Sequence, residues 1–219
     1  MRVTRRELCA GTAALALAGA VFGFRLHGSG FVLPAFAEAA NEELMMPGPL
    51  GEESLGDANA PVTLIEYAAV TCPHCADFYI HQYPEIKAKY IDTGKVRFIF
   101  REFSLNPLDT AGFMLARCAG DENYFPIVNT LFETQRDWVM AHPMEPLLKI
   151  VKQAGFTKES FDACLANQKV KTGVEWVRER GAEKFGVSGT PTFFINGKRF
   201  TGNPTAAEIG RLIDGYLKG

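Results

Sequence analysis

Residues 71–75 read Thr71-Cys72-Pro73-His74-Cys75, directly after the β-rich run Val62 to Tyr67 (VTLIEY), and residues 189–192 read Gly189-Thr190-Pro191-Thr192. The first stretch is a buried strand passing into a helix start. The cysteines are spaced i, i+3, so Cys72 opens the helix and Cys75 lies one turn further in. A helix N-terminus carries unpaired N–H groups and partial positive charge. A thiol there ionises more easily, and the thiolate is the reactive species. Cys72 is therefore the candidate nucleophile, expected to be exposed, and Cys75 the more buried resolving thiol. His74 can stabilise the Cys72 thiolate when protonated, or by a hydrogen bond when neutral. Stabilising that thiolate stabilises the reduced pair and makes the disulfide a stronger oxidant. The other use of such a pair is half a zinc site, but no second Cys/His pair stands at suitable spacing.

The pattern around this motif is alternating. The helix is expected to run to about Ile91, kinked at Pro84. After the turn Asp92-Thr93-Gly94 comes a second strand, Val96 to Phe103, which completes a βαβ unit. From Asn106 to Phe185 the pattern is helical. Asn106-Pro107 is a cap followed by proline at the first helical position, and further helices are expected at about 123–135, 143–154, 158–167 and 169–185. Strands then return at Thr192–Ile195 and Lys198–Thr201 around Asn196-Gly197, a hairpin signal. Thr205 and Glu208 form a capping box that opens a last helix to about Leu217.

Bulk properties restrict the function classes. At 219 residues, with 47% hydrophobic and 22% charged, the chain can bury a core. A net charge of −2 without a basic run gives no reason to expect nucleic acid. Arg2, Arg5 and Arg6 precede an uncharged stretch from Leu8 to Phe24, and Ala35-Phe36-Ala37 follows. That is the order of an export signal over residues 1–37. Thr4-Arg5-Arg6-Glu7-Leu8 resembles a twin-arginine signal. An uncleaved membrane anchor is the other reading, against which the apolar run is short of the ~20 residues a span needs. Cleavage after Ala37 removes four arginines and one glutamate, taking the formal charge from −2 to −5, and also removes Cys9. Cys72, Cys75, Cys118 and Cys164 remain, an even count that favours disulfide chemistry in an exported chain. Cys118 and Cys164 are expected to form a structural disulfide between two helices; separate buried thiols are the other reading.

Cys72-Pro73-His74-Cys75, Thr190-Pro191 before Thr192-Phe193-Phe194-Ile195, and the lead-in Leu55-Gly56-Asp57 through Ala60-Pro61-Val62 resemble the DsbA family of exported disulfide oxidoreductases. The resemblance covers roughly residues 55–219. It implies an α/β architecture, a thioredoxin-like fold with an inserted all-helical domain. Residues 38–57 are then an extended lead-in, 58–104 and 187–219 the thioredoxin-like part, and 105–186 the insertion. It also implies that the Thr190–Pro191 bond is cis and packs beside the disulfide, leaving the Thr190 backbone to pair with an extended client chain. Thr190 departs from the valine of the best-known oxidase, and isomerases share the threonine. Glu66 stands where the family often places a buried acid, which would take up the proton released by Cys75; otherwise it faces solvent. Arg101 either partners Glu66 or is a surface charge. Phe78, Phe193 and Phe200 are candidates to line a client groove. His81 and His142 read as surface histidines.

The function implied is donation of the Cys72–Cys75 disulfide to unfolded or newly exported proteins with free cysteines, in the periplasm. No bound cofactor is required. A DsbB-like, quinone-linked membrane partner would reoxidise the pair. Glu38–Ala60 is too short for the N-terminal domain through which isomerases of this fold dimerise, and a monomer is expected. Isomerase or reductase activity is the alternative direction. A chaperone-like module with a merely structural Cys72–Cys75 bridge is the alternative of another class.

Overall fold

The central strands lack period-2 alternation because both of their faces are covered. In the computed structural model, which describes residues 41–218, five strands form one sheet: β1 (Glu53–Leu55), β2 (Val62–Ala68), β3 (Val96–Glu102), β4 (Thr192–Ile195) and β5 (Lys198–Thr201). Their order is β1-β3-β2-β4-β5, with β2 and β3 parallel and the other neighbours antiparallel. The expected export signal and Cys9 lie outside the described residues.

The lead-in is not simply extended. Residues 41–45 are helical, and Glu53–Leu55 joins the sheet against Phe98–Phe100. Two buried arginines hold it there. Arg117 pairs with Glu53 at 2.7 Å and with Glu102. Arg101 pairs with Glu52 at 2.5 Å and donates to Tyr67 Oη at 3.1 Å. Arg101 is thus neither a partner of Glu66 nor a surface charge. It lies opposite Tyr67 in the β2–β3 register, on the other face from Glu66, and only 3% of it is exposed.

The first helix breaks rather than kinks. Helix α1 (Pro73–His81) stops before Gln82, and a short α2 (Tyr83–Ile86) restarts with Pro84 in its first turn. Pro84 has no N–H to continue the ladder and its ring crowds the carbonyl four residues back, so a new start is the low-energy solution. One π-helical stretch, Lys87–Ile91, completes the crossover.

The helical segment begins where the Asn106 side chain accepts the N–H groups of Leu108 and Asp109. It comprises α3 (Pro107–Cys118), α4 (Asp121–Glu133), α5 (Gln135–Trp138), α6 (Met144–Lys152), α7 (Lys158–Leu165) and α8 (Gln168–Phe185). Gly120, at φ +80°, is the N-cap of α4, whose first residue, Asp121, lies two before the expected start. Cys118 and Cys164 are bonded, tying the end of α3 to α7 across a separation of 46 residues. Helix α8 packs on the Tyr67 face, where a Cβ on Gly181 would stand 2.7 Å from the Tyr67 ring. At the hairpin, Asn196 and Gly197 take φ +43° and +80°, as a primed turn demands. Helix α9 (Ala206–Leu217) closes the chain behind the Thr205–Glu208 capping box.

Arg117 neutralises two carboxylates that water cannot reach. Arg117→Met is expected to cost roughly 3–5 kcal/mol, because it leaves buried charge uncompensated. Urea unfolding at pH 7 measures this, and a loss under 1 kcal/mol would refute it.

Candidate active site

Pro191 begins the approach to β4 after a cis Thr190–Pro191 bond, and β4 pairs with β2, which leads into Cys72. The two sequence signals therefore meet. Cys72 is the N-cap of α1, with φ −77° and ψ 121°, and Pro73 fills the first helical position. Its thiol donates to the Thr190 carbonyl at 3.3 Å. The pair is in the dithiol form. Cys72 is less open than expected, 7% exposed, but Cys75 is fully buried. The ranking of access therefore holds while the absolute exposure does not.

The two sulfurs are driven apart electrostatically. The Cys75 thiol donating to Cys72 Sγ is the largest influence on Cys72; burial opposes it, and the Thr190 side chain and the N–H groups of Cys75 and His74 add to it, so that Cys72 is held down at about 5. Thr190 Oγ1 is buried with no partner among the described residues, so it is free to donate once Cys72 ionises. Cys75 moves the other way. Burial, the bond to Cys72 and the nearby Glu66 push it well above the usual thiol range. One sulfur is built to be a thiolate and its neighbour to stay protonated.

Comparison with known proteins identifies the family. The thioredoxin family model matches residues 50–215. Alpha-DsbA1 of Wolbachia pipientis is 31% identical, with a TM-score of 0.75 over 82% of this chain and 96% of its own. The chain belongs to the DsbA group of the thioredoxin family. A putative protein-disulfide oxidoreductase of Rickettsia conorii is 35% identical over 75% of this chain, and the chain spans 60% of that relative's length. A probable disulfide bond formation protein D of Bacillus anthracis is 28% identical, covering 76% and 79% of the two chains.

Within this DsbA-like site the remaining candidates fall differently from expectation. Glu66 is 0% exposed, on the α1 side of the sheet opposite Phe100 and Phe193, and neither carboxyl oxygen has a hydrogen-bond partner among the described residues. Burial first, then Cys72, push its carboxyl well above the ordinary range. His74 is exposed, and what bears on the Cys72 sulfur is its backbone N–H. Phe78 and Phe193 are core residues, their rings 4.8 Å apart edge to face, and Phe200 stacks on Phe193 at 5.1 Å. The depression beside Pro191 is small, about 320 Å³, and is lined by His74, Gly189, Thr190 and Asn203 among others rather than by these phenylalanines. His81 faces Asp77 on the surface. His142 lines a hollow by α6.

Sequence reading missed Asp109 and Gln135, which reach the cysteine turn from the insertion. Asn106 was legible as a cap, but not as the donor to Thr71 Oγ1 at 2.8 Å.

Two predictions follow from the electrostatics. Removing a donor should raise Cys72 from about 5. Cys75→Ala is expected to raise it most, and Thr190→Val by roughly one unit; thiolate absorbance against pH reads both, and an unmoved midpoint in Cys75→Ala would refute the assignment. The second concerns Glu66. An acid raised on folding binds its proton more tightly folded than unfolded, so it disfavours the fold increasingly as pH climbs above its ordinary 4.5. Glu66→Gln should gain stability over wild type, in the reduced form, by up to roughly 1.4 kcal/mol for each pH unit above about 5. Cys72 acts oppositely, adding stability as pH rises above 5 in both proteins, so the difference reads Glu66 together with its coupling to Cys72. Urea unfolding at pH 5, 6 and 7 checks it; a difference independent of pH contradicts it.

Proposed function

We propose that this protein is an exported thiol:disulfide oxidoreductase that introduces disulfides into client proteins. The opposed acidities of Cys72 and Cys75 carry the reading. A client thiolate attacks Cys72 Sγ in the oxidised enzyme. A client–Cys72 disulfide forms and the Cys72–Cys75 bond breaks. Cys75 leaves as a thiolate, which its dry site disfavours, and takes up a proton; neutral Glu66, beside it, is the donor. A second client thiolate then attacks the client sulfur of the mixed disulfide and expels Cys72 as a thiolate. The client loses two electrons and two thiol protons; the enzyme pair gains the two electrons, one proton restores Glu66 after its gift to Cys75, and the other passes to solvent. Because the leaving group has a pKa of about 5, release is fast and the reduced enzyme is stable, which drives transfer towards the client.

The same balance must be reversed for turnover. By family resemblance, a DsbB-like membrane protein passing electrons to quinone reoxidises Cys72 and Cys75, and no bound cofactor takes part. The basic, apolar and small-residue order of residues 1–37 supports export to the periplasm, by the twin-arginine route. We assign a monomer as the working form. Thr190, Pro191 and His74 line the depression against which a client chain would lie, and Pro73 starts the helix.

The test is the reduction potential of residues 38–219 equilibrated with glutathione. It should be at least as oxidising as about −180 mV, against about −270 mV for a reducing thioredoxin. The oxidised protein should also form the disulfide of a reduced two-cysteine peptide stoichiometrically, and Cys72→Ser should abolish this. A potential near the thioredoxin value overturns the oxidase direction in favour of a reductase. Full activity in Cys72→Ser overturns the chemistry altogether.

A further inference from the structure

The peptide units that lead into Cys72 are gripped from the helical insertion. The unit joining Val70 to Thr71 is held at both ends. Its N–H donates to Asp109 Oδ1 at 2.7 Å, and its carbonyl accepts from Gln135 Nε2 at 2.8 Å. The unit joining Thr71 to Cys72 donates to the Ala69 carbonyl at 3.1 Å. The unit joining Cys72 to Pro73 has no N–H, so only its carbonyl can be held, and Gln135 Nε2 donates to it at 3.0 Å. Three consecutive units are thus fixed, two of them by side chains of α3 and α5. A primary amide has two N–H donors, and here both are committed to backbone carbonyls of the cysteine turn. Asp109 is itself locked: it is fully buried, and its Oδ2 accepts the Leu105 N–H at 3.0 Å.

We infer that Gln135 and Asp109 are positioning residues for thiol exchange, fixing the 70–73 turn so that Cys72 Sγ leaves the helix start pointing at its donors. This rests on reading Cys72 as the reacting sulfur. Hydrogen bonds to the sulfur weaken steeply with misalignment. The direction of Sγ is set by the backbone angles of Cys72 together with its χ1. Those angles depend on the planes on either side, one held by the Ala69 bond and the other, through the Cys72 carbonyl, shared between Gln135 and the helix. The Cys72 carbonyl also accepts the Ala76 N–H at 3.1 Å, the first rung of α1. Gln135 therefore pins the first turn of the helix whose N–H groups face the sulfur. A role confined to gluing the insertion to the sheet would change stability and leave the sulfur alone.

Gln135 is half-buried, so Gln135→Met removes both donors at nearly constant volume, and Gln135→Glu replaces them with acceptors that repel the two carbonyls. Arg136→Ala, an exposed neighbour, is the control. Each full-length mature protein is reduced and its Cys72 titrated by thiolate absorbance and by iodoacetamide rate against pH, with a urea curve alongside. In both Gln135 variants the midpoint should rise by roughly one unit, and alkylation at pH 5 should slow roughly fivefold, while the control matches wild type. Wild-type titration in either folded Gln135 variant, with or without a lower urea midpoint, overturns the proposal. A wild-type midpoint in the ordinary thiol range would instead overturn the reading of Cys72 itself, and the proposal with it.

Discussion

Hydrogen-bond donors converging on one sulfur, while its neighbour is kept dry, are the constraint on which this structure turns. Cys72 receives the Cys75 thiol, the first N–H groups of α1 and, when ionised, the Thr190 hydroxyl. Each comes from a different level of the fold: a residue spacing, a helix terminus, and a loop from the far end of the chain. The sheet brings them together, because β4 pairs with β2 and so delivers Thr190 to the end of the strand that leads into Cys72. Burying Cys75 and Glu66 side by side on one face of that sheet then keeps both protonated. The low dielectric that penalises those charges is the same environment that strengthens the bonds to Cys72.

Much of this was legible in the sequence, where local chemistry decides. The strand–helix start at Cys72, the Asn196-Gly197 hairpin and the Thr205 capping box are short-range signals, and the elements they announce match within a residue or two. Two kinds of feature were not legible. Burial of a charged residue on a central strand is undecided by alternation when both faces are covered. Glu66 stayed open for that reason, and Arg101 was assigned to the wrong environments although it sits among Glu52, Tyr67 and Met46. Contacts between remote segments were the second kind. Nothing near Gln135 marks it as a donor to Val70 and Cys72, and nothing near Phe78 or Phe193 marks them as core rather than groove. Pro84 lay between the two kinds: its disruption was foreseeable, but whether the chain kinks or restarts depends on what α2 packs against.

The helical insertion belongs to the site in a physical sense. Asp109, Asn106 and Gln135 together take up a backbone N–H, a hydroxyl and two carbonyls of the turn. The Cys118–Cys164 bond braces that insertion internally, between α3, which carries Asp109, and α7. One disulfide is thus structural, and the other pair, held as thiols 7% and 0% exposed, is the one whose environment separates its two sulfurs.

The sheet ends in strands of only three and four residues, β1 and β5, and β5 carries Lys198 and Arg199, both exposed. Short, charged outer strands offer little template for stray pairing. Under the proposed function, in which the clients are unfolded chains rich in unsatisfied backbone, that is a form of self-protection. Such clients would find no convenient ledge on which to start a fibril.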